Sequence, residues 1–278
     1  MPYLWMVMGE LGDIRLPSAA WAWQGLRRNK AYRDAYVNHR KAAPKSKKLK
    51  SGAQLMTAGE ACKHAHKFGL LTFADPDKQA ADANIIWRPD LLAGALRVRL
   101  SPFDDPDFTA DEEHDIIALS ALKTRRVMLD TEDGLRHILL AGDRFWVQLF
   151  AHPPYPKTDE SIIRIRIDEA LHGMRRLDTA AQLLSLHRSA GGKLSLIGRR
   201  KKPISLLRAL GAFDIWHGFE RPKGGLEDVA SFLCGDSRIK NDWNTNDRNL
   251  RVQAQRWIKR GEAFVERGYR DVLTRKTL

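Results

Sequence analysis

The hydrophobic periodicity of this chain changes once, near residue 168, and that change constrains the fold more than any other feature. Before it, short apolar runs alternate with polar residues as strands do, most clearly at residues 96–100. After it, apolar residues recur every three or four positions, as Leu171, Met174 and Leu177 do, which is the spacing of an amphipathic helix. The pattern predicts an α+β protein, in which an N-terminal helical segment and a β-sheet precede an all-helical C-terminal part.

Three apolar runs in the middle of the chain predict an antiparallel β-meander. They cover residues 125–129, 135–140 and 145–150. The dipeptides Asp133-Gly134 and Gly142-Asp143 separate these runs and favour tight turns. The runs at residues 85–89 and 96–100 predict a further hairpin that extends the meander.

The N-terminal residues 17–40 predict a helix pair or one broken helix, with Ser18 as the cap of its first turn. Aromatic residues alternate there with arginines. These residues could form a surface that binds bases or a protein partner. The commoner alternative is a small helical unit with an aromatic core and a solvated basic side. Residues 41–52 hold five lysines and one proline and predict a linker. Such a linker either follows a phosphate backbone or serves as a soluble tether.

A short helix is predicted over residues 57–68, ending at Gly69. Cys62, His64 and His66 within it suggest a metal site. Residues 62 and 66 share a helix face that residue 64 does not, and no second cluster of Cys and His completes four ligands. We therefore expect no metal here.

The charge is asymmetric along the chain. The formal net charge is +13, but residues 1–89 carry +8, residues 90–160 carry −6 and residues 161–278 carry +11. The C-terminal block predicts a polyanionic partner, most simply double-stranded DNA, and DNA affinity is expected to reside there. An anionic membrane is the weaker alternative, because no basic helix shows a wide apolar face. The acidic middle block is expected to serve self-association or contact with RNA polymerase.

Composition narrows the class of protein further. A hydrophobic fraction of 43% is enough for a core. Two cysteines exclude a disulfide scaffold and fit a reducing cytoplasm. The sequence has no apolar stretch long enough for a bilayer and no signal peptide pattern, so a cytoplasmic, nucleoid-associated location is expected.

The last two predicted helices, at residues 226–233 and 247–267, resemble a helix-turn-helix. A short helix with Ala230 midway exits at Gly235, and a long basic helix follows. Two further helices, from residue 168 to Gly191 and over residues 203–219, are predicted before them. The stretch between the last two helices, residues 236–246, is long for an ordinary turn of this motif.

A helical projection separates two faces on the final helix. The core face is predicted to contain Leu250, Ala254, Trp257, Gly261, Phe264 and Val265. The opposite side and its flanks predict the DNA-binding residues Arg248, Arg251, Val252, Gln255, Arg256, Lys259 and Arg260. Arginine pairs with guanine, glutamine with adenine, and valine contacts a thymine methyl. A solvated bundle helix is the alternative, but the regional charge and the cluster Arg199, Arg200, Lys201 and Lys202 favour DNA.

Short motifs in this order resemble a known family. They are Leu226-Glu-Asp-Val-Ala-Ser-Phe-Leu-Cys-Gly235, Trp243, the segment from Arg251 to Arg260, and Arg267-Gly-Tyr-Arg-Asp-Val-Leu273. Together they are similar to the RovC-like DNA-binding domain of type VI secretion regulators and FseA-type activators of integrative and conjugative element excision. Two N-terminal motifs, Ala20-Trp-Ala-Trp23 and Ile86-Trp-Arg-Pro89, resemble the transcriptional-regulator-like domain that often precedes it. The similarity covers residues 13–40 and 161–273, and more loosely 84–150.

The resemblance implies a cytoplasmic, DNA-binding activator with a variant helix-turn-helix and no cofactor. The sequence has no P-loop, no Gly-x-Gly-x-x-Gly and no Gly-x-Ser-x-Gly motif, so no enzymatic activity is expected. The implied architecture has three parts: residues 1–52, a helical transcriptional-regulator-like region with its lysine-rich linker; residues 53–160, a mixed α/β middle region; and residues 161–278, the RovC-like domain. As in other bacterial helix-turn-helix proteins, a homo-oligomer is expected.

Two other classes of function compete with this interpretation. A recombinase would use an Arg/His cluster with a tyrosine nucleophile, and His172, Arg175 and Tyr269 are a formal but badly spaced match. A protein-interaction module such as an antiactivator would use the same domain to bind a protein. The basic final helix argues against it.

Overall fold

The computed structural model describes residues 17–40, 44–60, 62–103, 117–142, 145–166, 172–188, 203–237, 239, 243 and 248–274. It is an α+β structure, as predicted. The strands are β1 (Lys45–Lys48), β2 (Gln54–Thr57), β3 (Leu96–Ser101), β4 (Ile117–Ala118), β5 (Arg125–Asp130), β6 (Arg136–Gly142), β7 (Phe145–Ala151) and β8 (Ile162–Arg166). The helices are α1 (Ser18–Leu26), α2 (Lys30–His39), α3 (Cys62–Ala65), α4 (Gly173–Arg188), α5 (Ile204–His217), α6 (Leu226–Cys234), α7 (Arg248–Ala263) and α8 (Tyr269–Thr274).

The strands form one mixed sheet in the order β1-β2-β5-β6-β7-β3-β8-β4. Its centre is the antiparallel meander β5-β6-β7, which confirms that prediction. The strands β2 and β3 join the two sides of the meander in parallel. The predicted hairpin at residues 85–100 is wrong. Trp87 forms only an isolated bridge with Leu70, and its backbone N–H and carbonyl bond the side chain of Gln148 instead of a strand.

Three N-terminal predictions also change. The predicted linker contains β1, a sheet-edge strand whose residues are all exposed, and its lysines suit an edge that must resist further pairing. The helix predicted from residue 57 begins at Cys62, because Gln54–Thr57 pairs in the sheet as β2. A 3-10 turn, His66–Phe68, follows α3 and ends as predicted at Gly69, which has a positive φ of 85°. Pro17, not Ser18, occupies the cap position of α1, and it makes no side-chain cap bond. The Asn29 side chain caps α2 by accepting from the Tyr32 N–H.

Each face of the sheet covers a separate core. The strand β6 shows the alternation, because Leu139 packs with α1 and the end of the chain whereas Ile138 and Leu140 pack on the side that holds α4. A third core lies between α5, α6 and α7. Its members include Ala212, Ile215, Val229, Ala230, Leu250, Ala254 and Ile258.

The predicted final helix is longer than expected and is interrupted. After α7 a π-helical turn spans Phe264–Gly268, and α8 continues to Thr274. The π turn and α8 pack on α1, where Phe264 and Tyr269 lie so close to Gly25 that a Cβ there would be 2.9–3.0 Å from them. The C-terminal helices therefore rest on the N-terminal ones.

Ionic and polar contacts join the same two regions. The Arg28 guanidinium donates to both carboxylate oxygens of Asp214, at 2.6 and 2.8 Å. Arg27 pairs with Glu220, and the Asn29 side chain donates to the Val265 carbonyl at 3.0 Å. Arg27 and Arg28 are thus buried rather than solvated, whereas Lys30 on the same helix pair is exposed.

The strand β8 lies beyond residue 160 and pairs with β3 and β4, so the sheet crosses the boundary placed there from the sequence. The division into three parts stays a prediction.

Candidate nucleic-acid interface

Helix α7 has one buried and one exposed face. Leu250, Ala254, Ile258 and Gly261 are buried along one stripe. The predicted DNA-binding residues Arg251, Gln255, Arg256, Lys259 and Arg260 are exposed, and Val252 is half-buried. Arg248 begins the helix, and Arg199, Arg200, Lys201 and Lys202 lie outside the described residues. The structure thus places five polar side chains on one rigid helix, and their role in binding stays a prediction.

The core face of α7 differs from the projection at one position. Trp257, predicted to face the core, is half-buried at its edge, and Ile258 takes the core position. The helix repeats every 3.6 residues, so the buried stripe follows positions 250, 254, 258 and 261. Residue 258 therefore faces the core, and residue 257 lies at the edge of the stripe.

Two tryptophans orient arginines on the exposed side. The Arg260 guanidinium lies 4.8 Å from the ring centre of Trp257, one turn earlier on α7. The Arg251 guanidinium lies 5.2 Å from the ring centre of Trp243, a residue of the segment that connects α6 to α7. Cation–π stacking of this kind limits the rotamers of a long side chain without removing its charge or its hydrogen-bond donors.

Glycines set the position of α7 against α5. A Cβ on Gly261 would lie 2.3 Å from the carbonyl oxygen of Ala209, so only glycine permits this close approach of the two helices. A Cβ on Gly211 would lie 2.3 Å from the ring of Phe232 on α6. The orientation of the exposed face of α7 therefore depends on contacts that tolerate no side chain.

Helix α6 presents a different surface. Glu227 and Asp228 occupy its exposed first turn, and the Asp228 carboxylate accepts from the Gly225 N–H at 2.7 Å. Val229, Ala230 and Phe232 are buried against the other helices. The N-terminus of α6 is thus negatively charged and would repel a phosphate, whereas the exposed face of α7 is positively charged.

The residues considered for a metal site do not converge. Cys62 is buried beside Thr72, whereas His64 is exposed and stacks on His39 with ring centres 4.1 Å apart. Within the part of the chain that the structure describes, no three Cys, His, Asp or Glu residues come together as a metal site.

The recombinase alternative depends on Tyr269, which is buried. Its hydroxyl donates to the Phe68 carbonyl at 3.1 Å, and burial raises the pKa of that hydroxyl. Arg175 donates to the Leu273 carbonyl. A nucleophile held inside the protein cannot reach a DNA phosphate, so this geometry does not suit the chemistry. The described helices include none that is both long and apolar enough to cross a bilayer.

Comparison with known proteins gives a DNA-binding family for the part of the chain that contains α7. Residues 163–274 match the family model described as the type VI secretion system (T6SS) transcription factor, DNA-binding domain. The match begins in β8 and includes α4, α5, α6, α7 and α8. No curated protein matches the chain. The match covers less than half of the chain. It supports a DNA-binding regulator whose residues 163–274 are similar to the RovC type of transcription-factor DNA-binding domain.

Proposed function

We propose that the protein is a sequence-specific transcription activator that binds DNA through the exposed face of α7. One observation carries the proposal. Arg251, Gln255, Arg256, Lys259 and Arg260 project from a single helix whose opposite face is fixed in a core. Base recognition needs such side chains on a rigid element, because a bidentate contact tolerates little error in position.

The residues of this face are proposed to fall into two groups, one that contacts bases and one that contacts phosphates. Arg256 and Gln255 are exposed at successive positions and suit base edges, Arg256 as a donor to guanine and Gln255 as a bidentate partner of adenine. Arg251 and Arg260, stacked on their tryptophans, suit the phosphates on either side of the groove. The cluster at Arg199, Arg200, Lys201 and Lys202 is proposed to add sequence-independent phosphate contacts.

The proposed motif is a variant helix-turn-helix in which α6 supports α7. The two helices share a core, and the acidic first turn of α6 argues that α7 alone enters the groove. Thirteen residues separate Cys234 from Arg248, so the connection is longer than the usual turn.

The family description suggests the biological setting. We propose that the protein acts in the cytoplasm on secretion-system or mobile-element genes, as a homo-oligomer that contacts RNA polymerase and performs no catalysis. The buried Tyr269 and the family of residues 163–274 support a binding role over a recombinase role.

Replacing Arg256 by alanine tests the proposal. Loss of one bidentate base contact should weaken binding to the true site by about 1–3 kcal/mol and relax the base preference at one position. Genome-wide mapping of bound DNA identifies the sites, and titration of specific and scrambled duplexes then measures both affinities. Arg40→Ala is the matched control, because it removes the same charge from an exposed position directly after α2.

Two results would contradict the assignment of α7. One is an Arg256→Ala variant that loses the same factor on specific and scrambled DNA, which would make Arg256 a phosphate contact. The other is a folded wild-type protein without salt-dependent DNA binding, which would leave the antiactivator type of module.

A further inference from the structure

Helix α4 carries an apolar stripe that faces solvent. Met174, Leu177 and Leu184 expose 74%, 47% and 38% of their surface, and Ala181 lies between them on the same side. Their spacing of three, four and three residues is that of the a and d positions of a coiled coil. The periodicity that predicts α4 from the sequence therefore marks a face that this chain leaves uncovered among its described residues.

The same helix already has a second apolar face, which is occupied. Thr179, Ala180 and Leu183 are buried, and the last two belong to the core beneath the sheet. The Thr179 hydroxyl oxygen lies where it would meet a Cβ on Gly94 at 3.0 Å, so this side of α4 packs tightly. Because one face is anchored on the sheet, the exposed stripe on the other face is held rigidly toward solvent.

We propose that this stripe pairs with the same stripe of a second copy of the chain, when two copies lie side by side on DNA. Identical heptad positions supply both the knobs and the holes that helix pairing needs, and Ala181 at the centre permits close approach. An antiparallel pair that crosses at Ala181 also brings Arg188 of one copy within about one helical turn of Asp178 of the other, and these exposed residues are opposite in charge.

The available area sets the strength of this contact. A helix of 16 residues is about 24 Å long and about 10 Å wide, so a pair buries roughly 300–400 Å² on each copy. A standard stable interface buries about 800 Å² on each partner. The stripe alone therefore supports only weak association in solution, with a dissociation constant of about micromolar or above.

Binding to DNA compensates for the small contact area by raising the local concentration of the second copy. Two copies on neighbouring half-sites face each other at an effective concentration of about millimolar, enough to close a weak contact. Helix-turn-helix proteins read paired half-sites in this way, one or more helical turns apart. In this respect the inference rests on the proposed function, and it locates self-association on α4 rather than in the acidic middle block.

The test uses the full-length chain and the variant Leu177→Glu, which places a carboxylate in the stripe of each copy. Val37→Glu is the matched control, because Val37 is an aliphatic residue on α2 with 55% of its surface exposed and the added charge is the same. Sedimentation velocity over a series of concentrations should show the average mass of wild type and Val37→Glu rising. The Leu177→Glu variant should need at least about tenfold more protein for the same rise.

A second measurement follows binding to a duplex of arbitrary sequence that is long enough for several copies, at low salt. Wild type and Val37→Glu should bind with a steep isotherm. Leu177→Glu should bind with a shallow one and with unchanged affinity at low occupancy, because its recognition helix is intact. Where the Leu177 variant fails to fold, Met174→Glu replaces it, since Met174 is the most exposed residue of the stripe.

Two results would overturn the pairing of the stripes, and a third would show pairing without DNA binding. Equal masses and equal isotherms for wild type and Leu177→Glu would overturn it. So would a monomeric wild type together with a larger drop in Tm for Leu177→Glu than for Val37→Glu, which would mean that the stripe is covered within one chain. Self-association that depends on Leu177 in a protein that binds no DNA would leave the pairing intact and refute the proposed function.

Discussion

Replacing Gly261 by alanine is expected to unfold the helical core that holds α7 and to abolish DNA binding with it. The new Cβ would lie 2.3 Å from the Ala209 carbonyl oxygen and 2.9 Å from the Phe213 Cβ. A backbone oxygen cannot rotate away as a side chain can, so α5 and α7 must separate along their crossing. We expect a loss of more than about 3 kcal/mol in the free energy of unfolding, measured by chemical denaturation of the full-length protein.

Gly173→Ala is the control for this variant. Gly173 begins α4, and no atom of the described residues outside its own helix and its chain neighbours lies within 4 Å of a Cβ built there. The substitution should change the free energy of unfolding by no more than about 1 kcal/mol, and in the stabilising direction, because alanine favours a helix over glycine. If Gly261→Ala is as stable as this control and retains DNA binding, the close crossing of α5 and α7 does not position the exposed face.

Much of α7 is predictable from local sequence. Its exposed residues follow from a single helical period, since charged residues such as Arg256 and Lys259 cannot be buried without partners. The error at Trp257 and Ile258 has a local cause. A side chain on the edge of a stripe can turn to either side, and the neighbouring Arg260, stacked on its ring, favours the outer position for Trp257.

The sheet shows where local sequence is insufficient. The meander β5-β6-β7 is joined by short turns, so its pairing is local and its prediction is correct. The parallel pairings of β2 with β5 and of β3 with β7 link residues far apart in the chain. Nothing within Lys45–Lys48 or Gln54–Thr57 reveals their partners, so β1 and β2 look like a linker and the start of a helix.

Buried ions are the hardest feature to predict. Arg27 and Arg28 stand among other basic residues, and their carboxylate partners Asp214 and Glu220 follow almost two hundred residues later. Solvent exposure is the normal expectation for such arginines. Only the packing of α1 against the C-terminal helices turns them inward.

Replacing Arg28 by methionine is expected to destabilise the protein by about 3–5 kcal/mol, because it leaves the Asp214 carboxylate buried without its partner. Both side chains of this pair expose only 5% of their surface, and the guanidinium meets both carboxylate oxygens. The double variant Arg28→Met, Asp214→Leu should recover most of the loss, since it removes both charges and fills the space with apolar groups. Chemical denaturation of the full-length variants measures both effects.

The control is a surface pair in the same helical region. On α2 the Lys30 Nζ lies 2.6 Å from the Asp34 Oδ2, and 87% and 58% of these two side chains are exposed. Lys30→Met should cost less than about 1 kcal/mol, because water and salt screen this pair. Equal losses for Arg28→Met and Lys30→Met would show that the ion pair of Arg28 with Asp214 contributes little to stability.

The same contact changes what a fragment of residues 161–278 should do. The sequence places DNA affinity in this block, but the fragment removes Arg28 from Asp214, α1 from Tyr269, and β3 from β8. We expect it to have a lower Tm than the full-length chain and to bind DNA only when folded, which circular dichroism and DNA titration on the same sample can establish. A fragment as stable as the full chain would show that the N-terminal helices only cover the DNA-binding domain. An unstable one would show that they complete its core.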